Sequence, residues 1–178
     1  MSSVKLEATL GLGGNIGDPV AAFAAALARL RDHDAIRLTG ISSVWRTAPW
    51  GKLDQPEFRN MAVLLETKLS ADDLLELCLA IERESGRERR ERWGPRTLDI
   101  DILTYGGQAI DRPGLQIPHP RLAQRAFVLA PLAEIAPKEM IGGFTVGALL
   151  AATADSDVKR DDTETARLKA MLDQPQRL

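Results

Sequence analysis

Residues Leu98 to Ile102 alternate Leu, Asp, Ile, Asp, Ile within "RWGPRTLDIDILTYGG" (92–107), and no other feature restricts the fold as much. Side chains at i and i+2 of a strand share a face, so Leu98, Ile100 and Ile102 lie on one side. Asp99 and Asp101 stand on the other, with about 7 Å between their Cα atoms. Asp is disfavoured in strands, and two like charges held side by side raise each other's pKa. The pair is either a solvated outer face or a grip on a divalent cation, which would remove the repulsion. Either way the strand belongs to a sheet with one covered face and one free face.

The rest of the chain supplies such a sheet. "VKLEATLGL" reads as a strand running into a glycine-rich turn, "GLGGNIGDP". Asp18 caps and Pro19 opens a helix with Val20, Phe23, Leu27 and Leu30 at helical spacing. "AIRLTGISSVWRT" (35–47) has the β-branched content of one long strand, and "NMAVLLETKL" (60–69) reads as another. Between them "APWGKLDQPEFR" is a long Pro- and Gly-punctuated loop, of the kind kept for function. Ser70 and Asp73 form a capping box for a second helix that runs to Ser85 and stops at Gly86. The order β-α-β-β-α-β predicts an α+β, ferredoxin-like antiparallel sheet with both helices on one face, plus C-terminal additions. After a turn at Gly106-Gly107, the sequence marks only a short helix over Val146–Ala152. We divide the chain into a domain over 1–152 and a polar tail over 153–178, with a capped helix from Thr163.

Composition narrows the function. The formal net charge is −2 and the pI about 5.8, so bulk electrostatics does not favour nucleic acid, and any anion site must be local. The single cysteine, Cys78, falls on the helical stripe of Leu74, Leu75 and Ile81 and reads as a small core side chain. No run approaches 18 apolar residues and the N-terminus lacks a signal-like stretch, so a cytoplasmic protein is expected.

Three segments carry chemistry. Gly11, Gly13, Gly14 and Gly17 do not make G-x-G-x-x-G, and G-x-x-x-x-G-K-[ST] is absent, so the glycines read as a tight turn. Arg83, Arg87, Arg89, Arg90, Arg92 and Arg96 interleave with Glu84, Glu88 and Glu91 and lead straight into the aspartate strand. A mixed charge run is usually a solvated face, but guanidinium groups beside a carboxylate pair suit a magnesium polyphosphate. Trp50, Phe58, Trp93 and Phe127 lie in or beside the irregular segments. Phe58 and Asn60, at i and i+2, would present a ring and a carboxamide to one planar heterocycle. His119, Arg121 and Arg125 in "IPHPRLAQR" extend the anion site.

Together "LGGNIGDP", "SSVWRTAPWG", "DQPEFRN", "IERESGR", "RWGPRTLDIDIL" and "PHPRLAQRAFVLAPL" resemble the 6-hydroxymethyl-7,8-dihydropterin pyrophosphokinases of folate biosynthesis. The resemblance implies transfer of the β,γ-diphosphate of ATP to the pterin hydroxymethyl oxygen, with AMP leaving. It implies that Asp99 and Asp101 hold two magnesium ions. Arg87, Arg89, Arg92, Trp93 and Arg96 match the family's ATP contacts, with Glu82, Ile102, His119 and Arg125 completing the nucleotide pocket. Arg87, Arg96 and Asp101 would carry catalysis. Thr47, Pro49, Trp50, Phe58, Asn60 and Phe127 match the pterin pocket, the pterin lying between Phe58 and Phe127. The chain departs from the family pattern at Gly14, where Ser is common, at Ala48, where Pro is frequent, and at Phe58, where Tyr is common. Losing the tyrosine hydroxyl leaves the stacking surface intact. A monomer is expected, binding ATP and the pterin, able to associate with other folate enzymes, and using neither nucleic acid nor membrane.

Two other classes share parts of this pattern. An RNA-binding sheet of the same element order needs central-strand aromatics in a K/R-G-F-G-F type motif, which the chain lacks. A non-catalytic small-molecule module would explain a pocket but not Asp-x-Asp beside an arginine run.

Overall fold

The computed structural model describes residues 4–49, 53–86, 96–153 and 157–174. In chain order its elements are β1 (Leu6–Gly14), α1 (Pro19–Arg31), β2 (Ile36–Ile41), β3 (Trp45–Thr47), β4 (Phe58–Thr67), α2 (Ala71–Glu84) and β5 (Asp99–Tyr105). A hairpin of β6 (Ile110–Arg112) and β7 (Leu115–Ile117) follows, then a 3-10 turn (Leu122–Gln124) and α3 (Ala126–Ile135). The chain continues through β8 (Met140–Ile141), β9 (Phe144–Thr145), α4 (Val146–Ala152), β10 (Lys159–Arg160) and α5 (Asp162–Asp173).

Six strands make the main sheet, in the order β10-β3-β4-β1-β5 with β2 also on β4, and every pairing is antiparallel. The predicted long strand over 35–47 is two strands. Ser42 to Val44 stand opposite only Met61 and Ala62, between the rungs Ile41–Val63 and Trp45–Asn60, so the chain must bulge there. The Ser42 hydroxyl accepts from the Ala62 N–H at 2.8 Å, which keeps the ladder satisfied across the break.

Local chemistry sets the first two helices as the sequence predicts. The Asp18 side chain accepts from Ala21 N at 3.1 Å ahead of Pro19, and Ser70 Oγ accepts from Asp73 N at 3.1 Å. Their apolar stripes, with Phe23, Leu27, Leu74, Cys78 and Ile81, pack on Leu10, Leu12, Met61, Leu98, Ile100 and Ile102. Each such side chain contributes about 1.5–3 kcal/mol by leaving water. Burial pushes the Cys78 thiol up to about 12, so it is inert packing.

The opposite face of the sheet is not free along its whole length, which corrects the expectation of helices on one face only. A second core joins Ala62 and Leu103 of the sheet to Leu122, Leu129 and Leu132, with Ile141 and Val146 outside them. The sequence hid α3, because Glu134 is its one charged residue and Pro131 stands in its interior. A bulge in β5 serves this layer: Leu10 pairs with Ile102 but Thr9 with Thr104, leaving Leu103 extra and directed at α3. The face stays open at the end that carries the two aspartates and again at the far end, around Glu7 and Glu66.

Candidate active site

Three of the four glycines of the predicted turn, Gly11, Gly13 and Gly14, are strand residues. β1 runs through Gly14, and of the glycines from 11 to 17 only Gly17, at φ +66, needs the left-handed region. Their use is spatial. Asn60, Gly13 and Asp99 form one rung across β4, β1 and β5, and Ala62, Gly11 and Asp101 form another on the same face. A Cβ at Gly13 would lie 2.8 Å from Asn60 Oδ1, so the rung closes up only because position 13 has no side chain. The result is a smooth floor between a carboxamide and a carboxylate.

Over this floor lies a cavity of about 110 Å³, several waters' worth of room, walled by Thr47, Phe58, Asn60, Phe127, Arg96 and Arg125 together with both aspartates. Thr47 and Asn60 are buried, and Asn60 Nδ2 donates to Thr47 Oγ1 at 3.3 Å. Phe127 lies in the first turn of α3, and the guanidinium of Arg125 sits 5.6 Å from its ring centroid. A flat polar ring and an anionic group therefore meet different walls of one cavity.

The acidic end is held by cations. Arg96 Nη1 donates to Asp99 Oδ2, and Arg125 faces Asp101 through space. The Asp101 side chain is 42% exposed, so ions reach it, yet protein surrounds it on its other sides. Burial, and next the Asp99 charge, push its carboxyl up to about 7 against the opposing pull of Arg125 and Arg96.

Asp101 also opens on a second, larger hollow of about 700 Å³ along the edge of β5, bounded by Ile102, the β6–β7 hairpin and His119. His119 Nδ1 accepts from Arg121 N at 3.2 Å, which puts the ring proton on Nε2, 4.0 Å from Asp101 Oδ2. Burial and then the Arg125 charge hold the His119 pKa below its usual value, so the ring is a neutral donor at pH 7. Glu82 lines neither hollow. It is buried behind β5 and accepts from Ile100 N at 2.8 Å, which makes it a support for the aspartate strand. Pro49 is half-buried outside the cavity wall. Trp50, Arg87, Arg89, Arg92 and Trp93 lie outside the described residues.

Sequence reasoning missed Asn15. This buried side chain donates to Gln55 Oε1 and to the Pro56 carbonyl, each at 3.0 Å, and its Oδ1 accepts from Arg96 N at 2.9 Å. It ties the end of β1, the approach to Phe58 and the entry to the aspartate strand into one knot. The only signal was an amide inside "GGNIGDP". Replacing Asn15 by Ala orphans buried backbone groups at a cost of about 1–3 kcal/mol. The variant should melt about 2–12 °C lower and show weaker apparent affinity on both sides of the site, measured by calorimetry and by separate substrate titrations.

Asp99 and Asp101 thus line the cavity, and Asp101 also borders the groove. A family model described as 7,8-dihydro-6-hydroxymethylpterin-pyrophosphokinase (HPPK) matches residues 9–137. A 2-amino-4-hydroxy-6-hydroxymethyldihydropteridine pyrophosphokinase of Methylorubrum extorquens is 48% identical over 154 residues, covering 86% of this chain and 98% of that protein. The Bacillus subtilis protein of the same name is 49% identical over 128 residues, 72% of this chain and 77% of the relative. Among solved structures, wild-type Plasmodium falciparum HPPK-DHPS superposes with a TM-score of 0.65 at 15% identity over 84% of this chain, which spans 43% of that longer chain. The match holds at the level of sequence and of fold, and the chain belongs to the 7,8-dihydro-6-hydroxymethylpterin-pyrophosphokinase family.

Proposed function

We propose that the two hollows are the two substrate sites of this pyrophosphokinase, which transfers diphosphate from ATP to the hydroxymethyl group of 6-hydroxymethyl-7,8-dihydropterin in folate biosynthesis. The observation that carries the assignment is that both hollows open on Asp101. The pterin takes the cavity: Phe58 and Phe127 stack on its faces, and Asn60 with Thr47 pairs with its polar edge. ATP takes the groove along β5, where Ile102 and His119 border the nucleotide and Arg96 and Arg125 meet the phosphates. By resemblance, Arg87, Arg89, Arg92 and Trp93 are assigned to the nucleotide and Trp50 to the pterin.

Asp99 and Asp101 supply the hard oxygen donors that Mg2+ requires, and we assign two ions to the pair with ATP as co-substrate. Magnesium, when bound, neutralises triphosphate charge and aligns the leaving and attacking oxygens. The protein positions the rest. Arg96 is locked to Asp99 and to the Asn15 knot, so its guanidinium is held ready beside the transferred group. Asp101 in its carboxylate form would hold the cation, and the aromatic walls keep water from the acceptor.

The strand order fits a ferredoxin-like frame, β2 and β3 together acting as one of its four strands. No described helix is long and apolar enough to cross a membrane. We read the chain as a cytoplasmic monomer able to associate with later folate enzymes, a reading that the longer HPPK-DHPS chain supports. Phosphorus NMR of the protein with ATP and Mg2+ tests the function directly. AMP and a pterin diphosphate should form only when the pterin alcohol is added; AMP formed equally without it, or none with it, would overturn the assignment.

A further inference from the structure

The family match ends at residue 137, yet residues 157–174 are built into the back of the pterin-side wall. β10 lies on the outer edge of β3, pairing Lys159 with Arg46 and Arg160 with Trp45. At the turn that follows, Asp161 N donates to Val44 O at 2.8 Å, Val44 N donates to Thr165 Oγ1 at 2.9 Å, and that hydroxyl donates to Asp161 O at 2.7 Å. Both backbone groups of Val44, a fully buried residue just ahead of β3, are thus satisfied by this one turn. The Asp161 carboxylate pairs at 3.3 Å with Arg59, which sits between Phe58 and Asn60 on β4. Arg167 holds Asp18, the residue that caps α1, and Leu168 is buried in the main core.

Thr47, Phe58 and Asn60 face the cavity, while Arg59, one residue off along β4, faces the tail on the other side of the sheet. The nucleotide groove is along β5, at the opposite edge. We propose that residues 157–174 are a positioning element for the acceptor pocket, in which Asp161 and Thr165 fix the β3–β4 edge and so set affinity for the pterin while leaving the nucleotide side alone. This inference rests on reading the cavity as the pterin site. Neither residue touches substrate; both act through β3 and β4.

The test separates the two substrates. Asp161→Asn keeps an oxygen to accept from Glu164 N, which the aspartate now does at 3.1 Å, and removes only the charge opposite Arg59. Thr165→Val removes the hydroxyl at constant shape. Each should raise KM for the pterin about five- to tenfold, the equivalent of one lost hydrogen bond of about 1–1.4 kcal/mol, with KM for ATP and kcat within about twofold of the parent. Thr165→Ser, which restores the hydroxyl, should return the pterin KM to the parent value. A folded Asp161→Asn protein with unchanged pterin KM, or variants in which both KM values move by the same factor, would overturn the proposal. Phe58→Ala serves as the reference: if it leaves the pterin KM unchanged, the pocket reading itself fails. If it raises that KM while the tail variants do not, only the positioning role fails.

Discussion

Asp101→Asn should lower kcat by at least about a thousandfold, some 4 kcal/mol of transition-state stabilisation, in a protein that remains folded. The amide keeps the shape of the carboxylate but cannot hold Mg2+ against a triphosphate. The same change should stabilise the protein without ligands, and pH gives the sign. The Asp101 carboxyl is raised from 3.8 to about 7, so the folded chain binds this proton more tightly than the unfolded chain. That contribution is fully present below about pH 4 and is lost as pH rises through 7. Above pH 7 the parent therefore bears the cost of a charged Asp101 next to Asp99, and the Asn variant does not. With water reaching the side chain, the gain is on the order of 1–2 kcal/mol. Melting curves should separate above pH 7 and converge below about pH 4. Binding of Mg2+ and an ATP analogue to the parent should release protons near neutral pH, seen as a buffer-dependent heat in calorimetry that the variant lacks. A folded variant with near-parent activity would reduce the two carboxylates to a solvated strand face.

Asn60→Ala should weaken pterin binding by about 30- to 200-fold, or 2–3 kcal/mol, with little change for an ATP analogue. The loss has two parts. The heterocycle forfeits its carboxamide partner, and the buried Thr47 hydroxyl loses the amide that now donates to it at 3.3 Å. A site shaped to pair with polar edges discriminates strongly when one partner is missing. Direct titration of both ligands decides it, and equal weakening of the two would show that Asn60 holds the fold and not the pterin.

What could be read from the sequence was local. The alternation of 98–102 placed both aspartates on one face because strand period is a property of the chain itself, and Ser70 with Asp73 announced α2 for the same reason. Misreadings arose where distant residues decide. Gly13 belongs to a strand because Asn60 and Asp99 flank it, and neither is near it in sequence. Helix α3 has no polar stripe because it is enclosed between the sheet and α4, which removes the signal by which helices are found. The long strand expected over 35–47 breaks at Ser42–Val44, where the pairing with β4 decides. Of the candidate site, the aspartates and the Phe58–Asn60 pair were legible from spacing, whereas Asn15 and the tail depend on contacts that span the chain.

The bare ribbon of Gly11 and Gly13 also bears on how the enzyme could escape an inhibitor. A compound that lies flat across it, linking the cavity to the groove, would be met there by backbone and not by exchangeable side chains. Resistance commonly arises by growing a side chain into a drug. At Gly13 even a methyl group would first strike Asn60 Oδ1, at 2.8 Å, so the substitution that repels the compound also disturbs the residue proposed to recognise the pterin. At Gly14 it would run into the Thr97 carbonyl, next to Arg96. The ways out that leave Asn60 in place are Gly11, where a methyl group would meet only the Leu103 side chain at 3.4 Å, and the aromatic walls.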